Sequence, residues 1–142
     1  MITTTLSIIL SMLFLFFASI HFYWVFGGKW ALEKVIPTKT NIENTKLIPK
    51  FATVIVALIF LMFSIIYLIK SGFLNIQLPN WITNYSYYII PILFLLRAIG
   101  DFKYVGFFKS IKKTTFAKWD RKLFSPLCLF ISIAGFLIVL LN

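Results

Sequence analysis

The chain has 142 residues, of which 61% are hydrophobic and 13% charged. Soluble domains average about 45–50% apolar and about 25% charged residues, so this composition excludes an ordinary water-facing surface. Fourteen Lys and Arg against 4 Asp and Glu leave a net charge of +10. The charges fall between long apolar runs, the pattern of loops facing anionic headgroups rather than of nucleic-acid binding.

A helix needs about 20 mostly apolar residues to cross a bilayer. Met1 to Gly28 contains no Lys, Arg, Asp or Glu, and a first span is expected over 4–26. Its start, "MITTTLSIILSMLF", lacks the basic segment of a signal peptide and its apolar run is too long for one, so the span is expected to be retained. The first loop, 27–50, carries Lys29, Lys34, Lys39, Lys46 and Lys50 against Glu33 and Glu43. Trp30, Leu32, Val35 and Ile36 among these lysines suit a segment lying along the membrane interface.

The second span is expected over 51–69, between Lys50 and Lys70, and the third over 81–100. Pro91 removes a backbone donor there and is expected to kink the helix, a defect that neighbouring helices compensate inside a bundle. The loop 101–123 holds Lys103, Lys109, Lys112, Lys113, Lys118, Arg121 and Lys122 against Asp101 and Asp120. A fourth span is expected over 124–141. The fold class is therefore all-α, a single transmembrane domain over 1–142 with four helices in a compact bundle. Excess Lys and Arg mark cytoplasmic loops. Loops 27–50 and 101–123 are thus expected on the cytoplasmic side of the plasma membrane, with both termini outside.

Small and polar residues fall on one stripe of each of three helices at 3.6 residues per turn. They are Ser7, Ser11, Ala18, His21 and Gly28 in the first; Thr53, Ala57, Ser64 and Tyr67 in the second; and Ser125, Cys128, Ser132 and Gly135 in the fourth. Small residues let helices approach closely in lipid, and hydroxyls can bond across the contact. These stripes are expected to face the bundle interior.

The most informative stretch is "LLRAIGDF", 95–102. Arg97 and Asp101 are four residues apart, close enough to pair if the helix continues, and Tyr104 follows on the same face. An ionisable residue inside a membrane is a functional candidate by default. His21, two turns from the end of the first span, approaches the same leaflet. Together with Arg97, Asp101 and Asp120 it is expected to line a cytoplasmic mouth. Three chemistries remain open: a His–Asp pair as general acid and base, an Arg–His pair holding an anionic headgroup, or an Arg–Asp pair that only locks the bundle.

Other chemistries lack their parts. One histidine, one cysteine (Cys128) and no HExxH or CxxC motif leave no metal site, and none is expected. "GGKW" at 27–30 is a helix end rather than a phosphate loop, and no cofactor is expected. No span carries an acidic residue at its middle, as a proton-coupled exporter would need.

"HFYWVFGGKW" (21–30), "RAIGDFKYVGFFK" (97–109) and "FAKWDRKLFSPLCL" (116–129) resemble the bacterial membrane family known as domain of unknown function 3995. The resemblance covers nearly the whole chain and implies a small four-span integral membrane protein, with no reaction attached. Its recurrent positions add Trp24, Trp30 and Ser125 to the binding candidates. Gly27, Gly28, Gly100, Gly106 and Pro126 are their structural neighbours. The expected function is binding of an anionic lipid-like ligand or a partner helix in a polar pocket at the cytoplasmic leaflet. The alternative is an enzyme acting on a lipid-like substrate, with His21 and Asp101 or Asp120 as acid and base. Expected partners are membrane lipids through the cytoplasmic loops, a second copy of the chain or another membrane protein; nucleic acid is not expected.

Overall fold

The structure, a computed structural model, describes residues 1–37 and 49–141. Lys39, Glu43 and Lys46 of the first loop lie outside the described residues. Four helical elements are long and apolar enough to cross a membrane, and no strand occurs among the described residues. The all-helical bundle expected from the apolar runs is thus what forms.

Helix α1 runs Ile2–Val25, a short α2 spans Leu32–Val35, α3 runs Lys50–Lys70 and α4 Asn80–Ile99. Helix α4 continues on both sides of Pro91, whose ring is buried. The last membrane-crossing element starts earlier than the apolar run alone suggests. It comprises α5 (Thr115–Trp119), a π-helical turn (Asp120–Phe124) and α6 (Ser125–Leu140) without interruption. Thr114 opens it with a side-chain cap, accepting the Ala117 N–H at 3.1 Å, which satisfies a donor that helix geometry leaves orphaned.

Pro126 gives a physical reason for the π turn. A proline in a helix has no N–H to donate and its ring collides with the carbonyl four residues back. Widening the preceding turn, so that the Ser125 N–H reaches the Asp120 carbonyl, accommodates both. Such single wide turns are rare and frequently accompany functional sites.

Helix α1 packs along α3, α4 packs along α6, and α1 also meets α6, while α3 and α4 touch little. The α1–α3 seam is built from the expected small residues. Ser11 Oγ donates to the Ser64 carbonyl and Ser64 Oγ to the Ser11 carbonyl, both at 2.9 Å. Hydrogen bonds between membrane helices average about 0.6 kcal/mol, so the reciprocal pair fixes register more than it adds stability. Ala18 lies seven residues after Ser11 and Ala57 seven before Ser64, as antiparallel helices require of one seam, and both are buried.

Phe14 is the centre of the core, its ring against Phe60, Phe63, Tyr67 and Phe94. Leu10, Ile66, Ile90, Ile131, Ala134 and Ile138 complete it. Gly135 lets α6 approach α4: a Cβ there would stand 2.8 Å from the Pro91 side chain. The stripe of α6 is buried at Ser125, Ser132 and Gly135, whereas Cys128 is only half-buried.

Candidate functional site

Helix α4 ends at Ile99 because Gly100 takes φ 90 and ψ −174, a region essentially open only to glycine. The chain then folds back, and the Phe107 N–H reaches the Ala98 carbonyl at 2.9 Å. Gly100 and Gly106 meet back to back. A Cβ on Gly100 would lie 1.8 Å from the Val105 carbonyl oxygen, and one on Gly106 2.3 Å from that of Ile99.

This break overturns the expected Arg97–Asp101 pair. Four residues make one turn only while the helix lasts, and Asp101 lies beyond its end. Its carboxylate instead organises the turn, with one oxygen accepting the N–H groups of Lys103 (3.0 Å), Tyr104 (2.8 Å) and Val105 (2.9 Å). The Val105 bond foremost, then those of Tyr104 and Lys103, holds the exposed Asp101 carboxyl below the usual carboxylate range. Tyr104 packs under the Lys103 ammonium, 5.4 Å from its ring centre.

The partner of Arg97 is Asp120. Arg97 Nη2 donates to Asp120 Oδ1 at 2.9 Å. Asp120 Oδ2 accepts Lys109 Nζ at 2.7 Å, the Gly106 N–H at 2.8 Å and Ser125 Oγ at 3.1 Å. Three of the four donors converge on Oδ2 and one on Oδ1. Asp120 is fully buried and Lys109 nearly so, and Lys109 Nζ also donates to the Gly106 carbonyl at 3.1 Å. Ser125 reaches Asp120 because of the wide turn. Five residues along an α-helix point to different sides, but along a π turn they stack.

The bonds thus join Arg97 of α4, Gly106 and Lys109 of the connecting loop, and Asp120 and Ser125 of the last helix. Tyr104 and Asp101 stand beside this clasp, and His21 is bonded to none of its members. Lys109 is the member that sequence reasoning missed. Nothing in its spacing separates it from Lys112 or Lys113, and only the folded loop turns it inward.

His21 belongs to a second place. Its Nδ1 donates to the Phe17 carbonyl at 2.7 Å, the carbonyl being able only to accept. Its ring packs on Trp24 and Phe60. With Trp24, Lys29, Leu32, Ile36, Lys50, Thr53 and Val56 it lines a largely apolar cavity of about 460 Å³ beside α1 and α3. Gly27 and Gly28 end α1 there, and the Tyr23 ring leaves no room for a Cβ on Gly28. Trp24 Nε1 donates to the Trp30 carbonyl at 2.9 Å, while the Trp30 side chain is largely exposed. Lys34 Nζ lies 4.4 Å from the centre of the Trp119 ring, so the two basic loops meet at one end of the bundle.

A third feature adjoins the clasp. Phe107, Lys109, Lys112, Ala117, Lys118, Arg121 and Lys122 line a concavity of about 310 Å³. No carboxylate is in that lining, and Lys112, Lys118, Arg121 and Lys122 are exposed. The only ion pairs among the described residues are the two on Asp120. No group of His, Cys, Asp and Glu among the described residues could hold a metal ion. Pro126 is exposed at the start of α6.

The family described as "Protein of unknown function (DUF3995)" matches residues 14–135. The chain belongs to that family. No curated protein and no solved structure matches the chain. The DUF3995 segment contains His21, the whole Asp120 clasp and the basic concavity. It begins at Phe14, the centre of the core, and ends at Gly135, where α6 approaches α4.

Proposed function

We propose that this DUF3995 protein resides in the plasma membrane and holds an anionic lipid headgroup at its cytoplasmic end. The observation that carries this reading is the carboxylate-free concavity lined by Lys109, Lys112, Lys118, Arg121 and Lys122. The excess of Lys and Arg in loops 27–50 and 101–123 supports cytoplasmic placement of that end. Anionic lipids enrich the same leaflet. The binding site therefore lies beside Arg97 and Asp101 rather than on them: Arg97 serves the clasp and Asp101 serves the turn.

The acid–base alternative draws no support from the geometry. Among the described residues His21 bonds no carboxylate, and the buried Asp120 is held by four donors.

Native mass spectrometry tests the reading. The protein, released from micelles holding equal phosphatidylglycerol and phosphatidylcholine, should retain phosphatidylglycerol preferentially. Each basic residue near an anionic surface contributes about 1 kcal/mol, so combining Lys118→Ala, Arg121→Ala and Lys122→Ala should weaken that retention roughly 100-fold. Lys70→Ala, on the far end of α3, should leave it unchanged. Equal retention of both lipids by the unmodified protein overturns the proposal.

A further inference from the structure

From the charge and size of the basic concavity we infer that its ligand is a phosphomonoester headgroup, a dianion carried by a lipid, in preference to a phosphodiester. The inference rests on the headgroup reading above and narrows it to one chemical class.

Lys118 near the end of α5 and Arg121 and Lys122 in the π turn line the same concavity. Lys112 joins them from the loop. None of these four cations has an ion-pair partner among the described residues. Lys109 contributes its stem to the lining while its ammonium is held in the clasp by Asp120 and Gly106. Beneath the concavity, Asp120 brings one negative charge against the two positive charges of Arg97 and Lys109. The floor therefore does not offset the rim; it adds to it.

The space is about 310 Å³, at the small end of the roughly 300–1,000 Å³ typical of ligand pockets. Several unpaired cations therefore converge on room for one headgroup. A single phosphodiester brings one charge to them. A phosphomonoester has a second ionisation near about pH 6, and adjacent cations favour the charged form, so it binds as the dianion. Exposed Phe107, Phe108 and Leu123 flank the cations, apolar surface suited to the chains of a lipid rather than to free phosphate.

Among the described residues, the charged groups on neighbouring elements are Glu33 and Lys34 of α2, Arg97 at the end of α4, Asp101, Lys103 and Lys113 of the loop, and Asp120 and Lys109 in the clasp. Histidine is the side chain that ordinarily titrates between about pH 5 and 8, and the single one, His21, lines the other cavity. A change of binding across that range therefore reports the ligand's own second proton.

The test compares phosphatidate, phosphatidylglycerol and phosphatidylcholine of identical chains, presented together in micelles to the full chain at pH 8 and at pH 5. Phosphatidate should be retained about fivefold or more over phosphatidylglycerol at pH 8, the factor contributed by one further lipid charge contact. That advantage should shrink at pH 5, with the phosphodiester unaffected. Combining Lys118→Gln, Arg121→Gln and Lys122→Gln should abolish the preference at an unchanged melting temperature, because these side chains are exposed and outside the clasp. Equal retention of phosphatidate and phosphatidylglycerol at both pH values overturns the selectivity and leaves the headgroup reading standing. Failure of both to exceed phosphatidylcholine overturns the two together. Displacement of phosphatidate by equimolar inorganic phosphate overturns recognition of a lipid.

Discussion

Asp120 is the residue on which this end of the molecule depends. Burying a carboxylate is costly, and its attraction to Arg97 and Lys109, with the further bonds from the Gly106 N–H and the Ser125 hydroxyl, offsets that cost. Removing one partner of such a buried pair destabilises by about 3–5 kcal/mol. Thermal melting of Asp120→Ala in detergent should show a loss of that size. Pairing Asp120→Leu with Arg97→Met and Lys109→Met should recover part of it, since an apolar replacement leaves no charge stranded. Asp101 behaves differently because it is exposed. Its carboxyl is held low by three backbone N–H groups, so its contribution to the turn is complete above the ordinary value of about 3.9. That contribution fades only as pH falls through the lower folded value. An NMR titration of the Asp101 carboxyl should therefore give a midpoint below the ordinary one. Asp101→Ala should speed hydrogen exchange at the amides of Tyr104 and Val105; unchanged exchange would show that the turn holds without it.

At the scale of elements, the connection between α4 and the last helix depends on two glycines. Left-handed and related backbone strain costs a non-glycine residue about 1–3 kcal/mol. Gly72 also has a positive φ, but a Cβ there would meet open space. Gly72→Ala should therefore cost only that strain, whereas Gly100→Ala should cost clearly more, because its methyl would enter the Val105 carbonyl. Equal melting temperatures for the two variants would refute the close approach. This same connection is not legible in the local sequence. "LLRAIGDF" continues in hydropathy through Gly100, so a four-residue spacing read as a turn. The chain reversal at Gly100, and with it the choice of Asp120 over Asp101 for Arg97, arises from long-range contacts that no local pattern encodes. The seam between α1 and α3 was legible because Ser11, Ala18, Ala57 and Ser64 recur at the helical period, and that period alone decides which face is buried.

For the whole molecule, apolar run length alone specifies the four long helices. Cost in lipid leaves few other ways to accommodate such a sequence. The candidate site was legible in part: Arg97, Asp120 and Ser125 do meet, while His21 belongs to the other helix pair. Polarity and depth ranked these residues equally, and neither reports which helices adjoin. Orientation in the membrane has its own test, in a Cys128→Ser background. Asn75→Cys, between α3 and α4, should react with an impermeant maleimide from the outer face. Lys113→Cys, in the basic loop, should react only after permeabilisation, and the opposite pattern would invert the proposed sidedness.

The π turn at Asp120–Phe124 amounts to one residue more than an α-helix of the same reach would contain. Each residue rotates a helix by about 100°, so the turn works as a phase shifter between two surfaces of one continuous rod. Beyond it, Ile131, Gly135 and Ile138 are buried in the bundle; at its start, Asp120 is turned to the folded loop, where the Gly106 N–H and Lys109 reach it. A lineage that lost one residue from this turn would keep its membrane-spanning length and its hydrophobicity. It would nonetheless swing Asp120 away from its four donors, and hydropathy would record nothing of the change.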